Sequence, residues 1–113
     1  MNELTGWSRT APTGAVVATP TSTEALAATV EGAPERGVIA RGLGRSYGDA
    51  AQNAGGRVAD ATGVRRLLAF DGVTGVVTAE AGLSFDDLLR VVVPPGWFVP
   101  VSPGTRYVTV GGA

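Results

Sequence analysis

The sequence predicts an α+β chain of short strands carrying two helices, and three features lead to that reading. Two stretches of helical spacing open on hydroxyl caps, at Thr21-Ser-Thr-Glu24 and Ser84-Phe-Asp-Asp87, and close on glycine and proline. Short β-rich runs at residues 38–40, 57–60, 67–71 and 76–82 are separated by turn residues. The run at Val38 feeds straight into a glycine loop, A-R-G-L-G-R-S-Y-G-D over residues 40–49, and strand residues resume at Arg57 with no room for a helix between.

Composition narrows the chemistry. At 113 residues the chain is at most one domain, able to bury roughly two thirds of its unfolded surface. A net charge of −1 attracts no polyanion, so no nucleic-acid partner is expected. All nine basic residues are arginine, which excludes a P-loop, since that motif needs its lysine beside the phosphates. Histidine and cysteine are absent, removing most metal sites, the usual general base, the thiol nucleophile and any disulfide. Redox or group-transfer chemistry must therefore come from a cofactor. The first ten residues lack a signal-peptide core, and no later run reaches the length of a transmembrane segment. A soluble, cytoplasmic chain is the expectation.

In order along the chain, residues 1–20 read as an extended N-terminal arm with a short strand at Ala15–Ala18, pinned to the body by Trp7. Residues 21–113 read as one unit. The Thr21-x-x-Glu24 capping box starts a helix over Ser22–Glu31, with Leu26 and Val30 four apart and Gly32 and Pro34 as its stop. Val38-Ile-Ala40 is expected to be a buried strand.

In the loop that follows, Gly42, Gly44 and Gly48 free the backbone to take positive φ and let another molecule approach closely. Several N–H groups can then turn inward, with Arg41, Arg45 and the Ser46 hydroxyl as further donors. The natural guest is a phosphate or pyrophosphate; the alternative is a glycine-rich surface turn between two strands. Tyr47 stands where the Rossmann fingerprint wants its third glycine, and Asn53-Ala-Gly-Gly56 is turn chemistry. A Rossmann-type NAD site is therefore disfavoured.

Leu67–Asp71, the turn Gly72–Gly75 and Val76–Gly82 form a hairpin, with Val76, Thr78 and Glu80 on one face and Val77, Ala79 and Ala81 on the other. Ser84 caps a second helix that aligns Phe85, Leu88, Leu89 and Val92, with Pro94-Pro-Gly96 as its stop. Asp86 and Asp87 fall in its first turn and read as dipole-offsetting acids rather than a catalytic pair. Trp97–Val101 is a last extended apolar segment, and Tyr107–Val110 a strand running into Gly111-Gly112.

These parts, in this order, resemble the N-terminal half of the FAD-binding domain of the vanillyl-alcohol oxidase and p-cresol methylhydroxylase (PCMH) type flavoproteins. The likeness is carried by Leu4-Thr-Gly-Trp7, Arg9-Thr-Ala-Pro12, Gly37 to Asp49, Ala51-Gln-Asn53, Gly55-Gly56, Phe98-Val-Pro-Val101, Pro103-Gly-Thr-Arg106 and Val108 to Ala113. It implies FAD as cofactor. Ala40, Arg41, Gly42, Leu43, Gly44, Arg45, Ser46, Tyr47, Gly48, Asp49 and Ala50 would wrap the pyrophosphate and ribityl chain. Gly104, Thr109, Val110, Gly111 and Gly112 would form a second wall near the adenosine half and the flavin edge. Tyr47 would lie against the flavin or substrate pocket, or else be an ordinary half-buried tyrosine at a strand end. Asp49 and Asn53 would fix the loop by side-chain to backbone hydrogen bonds, and Arg36, Arg65, Arg66 and Arg90 read as solvated charges.

Within the family the longer match around R-G-L-G-R-S-Y-G-D is similar to members that oxidise a secondary alcohol of a sugar. It implies oxidation of the 2′-hydroxyl of decaprenylphosphoryl-ribose in arabinan precursor synthesis for the cell wall. A lipid-linked sugar substrate and a partner keto-reductase go with that activity, and membrane association of the parent stays open. Such proteins continue past this Gly-Gly-Ala into flavin-contacting and substrate-domain segments. The expectation is thus a truncated, incomplete PCMH-type domain without catalytic side chains of its own, retaining FAD weakly and not turning over. A non-enzymatic nucleotide-binding module and an inactive partial gene product are the alternatives.

Overall fold

The computed structural model describes every residue from Met1 to Ala113. Its first half is a four-stranded sheet in the order β1-β2-β4-β3. Strand β1 (Asn2–Leu4) pairs antiparallel with β2 (Thr13–Ala18), setting Asn2 opposite Ala15. Strand β4 (Arg57–Asp60) runs parallel to β2 on one side and to β3 (Val38–Arg41) on the other, with Val58 opposite both Val17 and Ile39. The central strand has the least solvent: Val58 is fully buried, with Ala59 and Ala15 beside it. The opening residues are therefore more than an extended arm with one short strand, because they supply both an edge and an interior strand. Period-two burial is too weak a signal in three residues of β1 to show there.

Parallel neighbours need a crossover of a dozen or more residues, usually a helix. Between β3 and β4 that crossover is the glycine loop itself, residues 42–56, with no helix in it. Strand β3 departs from expectation in burial: it lies at the sheet edge, and Ile39 and Ala40 are exposed. An apolar run fixes strand character but not the strand's place in the sheet.

Helix α1 (Thr23–Glu31) is capped one residue later than the expected box, by Ser22, whose hydroxyl accepts from the Ala25 N–H at 3.1 Å. At its far end Arg57 of β4 donates to the carbonyls of Gly32 (2.6 Å) and Thr29 (3.3 Å). A cation there satisfies orphan carbonyls and opposes the negative end of the helix dipole.

The second half is built on the hairpin β5 (Leu67–Phe70) and β6 (Val77–Ala79), whose pairing carries an irregularity between Leu67 and Ala69. Its turn is held by Asp71, whose carboxylate accepts from the N–H groups of Val73 (2.8 Å) and Thr74 (3.2 Å). Those donors hold the Asp71 carboxyl below the usual carboxylate range. Helix α2 (Phe85–Val92) starts as expected, with the Ser84 hydroxyl accepting from Asp87 N–H at 3.1 Å. Its face of Phe85, Leu88 and Val92 joins Leu83 in the main apolar cluster, against Leu67, Phe70, Val77 and Trp97. Asp86 pairs with Arg90 at 3.2 Å and Arg106 at 3.0 Å, which accords with a structural role.

Two late segments are not strands. Trp97 is fixed by its indole N–H to Gly72 O at 3.0 Å, but Phe98 and Val101 stay exposed and the segment pairs with nothing. The expected final strand reduces to one bridge, Thr109 opposite Ser84, followed by a tight 3-10 turn at Val110–Gly112. The adjacent glycines favour the turn over the ladder.

Candidate functional site

The glycine loop becomes a recess because of what each glycine does. Gly44 and Gly48 sit at φ +73° and +60°, in the left-handed region that a Cβ makes costly. Gly42 serves close approach, since a Cβ there would stand 2.5 Å from Thr109 Oγ1. The two segments thus face one another as walls. Gly42, Leu43, Gly44, Arg45 and Ser46 on one side, and Val108, Thr109 and Gly112 on the other, enclose a cavity of about 170 Å³ with Ala51 at its margin.

The first wall is rich in uncommitted donors: no main-chain N–H from Gly42 to Ala51 donates to a protein acceptor. No acidic side chain lines the cavity. A run of free N–H groups along a glycine backbone, without carboxylates to repel a guest, suits an anion such as a pyrophosphate. The second wall is fastened from behind. Phe85 N–H donates to Val108 O (2.9 Å), Val110 N–H to Leu83 O (2.8 Å) and Gly111 N–H to Ala81 O (2.8 Å). Buried Thr109 turns its hydroxyl onto Gly112 N–H at 3.3 Å.

The other candidate residues divide by position. Arg41 is not a donor to this cavity: its guanidinium is occupied by Ala51 O (3.0 Å) and Thr5 O (2.6 Å), tying the loop to the N-terminal segment. Arg45 reaches Tyr107 O at 3.3 Å and stacks over the Trp7 ring, 5.8 Å from its centroid. Tyr47, 81% exposed, is not a half-buried strand-end residue. It borders an adjoining cavity of about 330 Å³ with Trp7, Arg45, Gly104, Thr105 and Val108. Ala40, Gly48, Asp49, Ala50, Val110 and Gly111 line neither cavity. Gly111 instead packs on Ala81, and Gly48 lies under Gly6, where a Cβ would strike the Gly48 carbonyl.

Of the two residues expected to brace the loop, Asn53 does so, donating to Gly37 O (3.2 Å) and Arg57 O (3.1 Å). The Asp49 side chain makes no hydrogen bond within the chain, and Gln52 takes up that work. Its amide donates to Leu4 O (3.0 Å), Ala11 O (3.2 Å) and Thr13 Oγ1 (2.8 Å), binding the loop to β1 and β2. A long amide amid Ala, Asn and Gly was the available signal. Arg66 is likewise more than a solvated charge. It donates to buried Glu80 through Nε at 3.0 Å, and its main-chain N–H adds a 2.8 Å bond. The Arg66 side chain, then its N–H, hold the Glu80 carboxyl below the usual range. Arg36 and Arg90 also have partners, Ala54 O and Asp86.

The crossover loop with its free N–H groups and the opposing glycine turn form a cavity suited to an anion. Residues 14–113 match the family described as FAD binding domain, and the chain belongs to that family, with FAD as its cofactor. The chain is also 52% identical, over 113 aligned residues, to decaprenylphosphoryl-beta-D-ribose oxidase of Mycolicibacterium smegmatis. That match covers 97% of this chain and 25% of the relative, so the chain spans about a quarter of that protein's length. No helix is long and apolar enough to cross a membrane.

Proposed function

We propose that this chain is the pyrophosphate-binding part of a PCMH-type FAD domain in an oxidoreductase that oxidises a secondary alcohol of a sugar. Its substrate is the 2′-hydroxyl of decaprenylphosphoryl-ribose, in arabinan precursor synthesis. The observation that carries this reading is the match of 97% of this chain, at 52% identity, to a quarter of the oxidase from M. smegmatis. The uncommitted N–H run from Gly42 to Ala51 supports it from the geometry. In this reading the main chain of Gly42–Ser46 holds the phosphates. Arg45 is kept in place by Trp7 and Tyr107 O, so that its charge stays beside them. Thr109 and Gly112 close the opposite side.

FAD held between these walls would supply the two-electron acceptor needed to oxidise a secondary alcohol to a ketone. A keto-reductase partner then returns the ketone to an alcohol of inverted configuration. The four-stranded sheet is the rigid support on which the loop is mounted. The N-terminal residues brace this loop, Leu4 O and Thr5 O accepting from Gln52 and Arg41. The test is anaerobic mixing of the intact oxidoreductase with decaprenylphosphoryl-ribose. Bleaching of the flavin absorbance with formation of the 2′-ketone is expected. Unbleached flavin with this substrate, but bleaching with another sugar alcohol, would reassign the substrate.

A further inference from the structure

The two walls of the cofactor cavity belong to different halves of the fold, and few bonds fix their separation. One wall follows β3 of the four-stranded sheet. The other hangs on residues 81–85, beyond the hairpin, through the main-chain bonds from Gly111, Val110 and Phe85. Between residues 1–63 and 65–113 there are two side-chain hydrogen bonds, Arg45 to Tyr107 O and Thr23 Oγ1 to Glu80 Oε2, both at 3.3 Å. The first lies in the site itself. The second is remote from the cavity and joins the first turn of α1 to the residue that precedes the segment carrying the second wall.

Glu80 is suited to that position. Its side chain is 6% exposed, and a buried carboxylate needs a donor at each oxygen. Arg66 serves Oε1 through its main-chain N–H and Nε, and reaches Oε2 only at 3.3 Å. The Thr23 hydroxyl is the other donor to Oε2 and comes from the opposite half. Beside it, Gly82 N–H donates to Val64 O at 2.8 Å, and a Cβ at Gly82 would strike the Ala61 carbonyl. The chain leaves no slack here.

We propose that the Thr23–Glu80 hydrogen bond is a latch that sets the width of the cofactor cavity, making both residues positioning residues for FAD. This rests on the cavity being the FAD pyrophosphate site, as proposed above. Loss of the latch leaves the Gly82 contact with Val64 and Ala61 as the remaining tie beside the second wall, so residues 81–85 can pivot about it and move Thr109 relative to Gly42, a contact with no room to spare.

The experiment measures FAD affinity and bound-flavin fluorescence anisotropy in the intact oxidoreductase carrying Thr23→Val, Thr23→Ser, Glu80→Gln or Gly44→Val. Thr23 is exposed, so Thr23→Val keeps the shape of the side chain and the fold. It is expected to raise the FAD Kd about three- to tenfold and lower the anisotropy, with Glu80→Gln acting in the same direction. Thr23→Ser restores the hydroxyl and is expected to match wild type. A lowered melting temperature of the apoprotein with unchanged FAD Kd and anisotropy in Thr23→Val and Glu80→Gln would overturn the latch. Gly44→Val separates the two levels: if it too leaves FAD affinity unchanged, the pyrophosphate assignment fails and the latch with it.

Discussion

At the scale of single residues, the site depends on side chains that are missing. Gly42 has the most specific requirement, because the opposing wall already occupies the space of its Cβ. Gly42→Ala is expected to raise the FAD Kd about tenfold, since forcing atoms into a packed contact typically costs about 1–3 kcal/mol. Trimming the wall with Gly42→Ala/Thr109→Gly is expected to recover part of that loss, read as a coupling in a double-mutant cycle of FAD affinities. Gly44→Val combines positive φ with branching at Cβ and is expected to do more damage than Gly42→Ala. The glycine loop was legible in the sequence as either an anion cradle or a surface turn, and only the fold sets Gly42 against Thr109. Arg41 was not legible: the sequence shows a charge beside a loop, and only the fold reveals the carbonyls of Thr5 and Ala51 that occupy it.

Among the elements, α2 was fully legible, β3 was legible as a strand but not in its place, and β1 was not legible at all. Helix α2 states its cap, its apolar face and its stop within a dozen residues, so local physics settles it. Leu88→Ala should therefore cost about 2–5 kcal/mol, seen as a fall in the denaturant midpoint with little change in slope, because Leu88 lies in the main apolar cluster. Ser84→Ala should cost about 1 kcal/mol through loss of the cap. The place of β3 at the sheet edge depends on pairings decided elsewhere, which its own four residues do not encode. The hairpin adds a pH dependence. Glu80 and Asp71 both have folded-state pKa values below their unfolded ones. Their contribution is complete above the ordinary carboxylate pKa, about 4. It is lost as pH falls through the lowered values, because the unfolded chain binds those protons first. Thermal unfolding should be insensitive to pH between about 6 and 8 and should fall steeply in acid, and Glu80→Gln should flatten that acid limb.

For the whole molecule, the dimensions decide what residues 1–113 can do alone. The Cα envelope measures 46 × 32 × 16 Å, a slab too thin to surround a dinucleotide. The cavity between the two walls, about 170 Å³, and the adjoining one of about 330 Å³ are both open to solvent on one side, whereas a site that retains a ligand buries most of its surface. Residues 1–113 on their own are expected to lose FAD on gel filtration, and a yellow fraction whose flavin absorbance survives the column would contradict this. Order of parts and motif spacing made the family legible at this scale. The stitching between halves was not, because Glu80 and Thr23 stand 57 positions apart and neither is unusual where it occurs. The exposed edge of β3 has a further consequence. It presents unpaired backbone groups beside Ile39, 37% exposed, which is a template for strand addition by a second chain. Ile39→Lys would place a charge on that edge: if residues 1–113 associate in light scattering, the variant is expected to associate less, and an unchanged profile would exclude this edge as the contact.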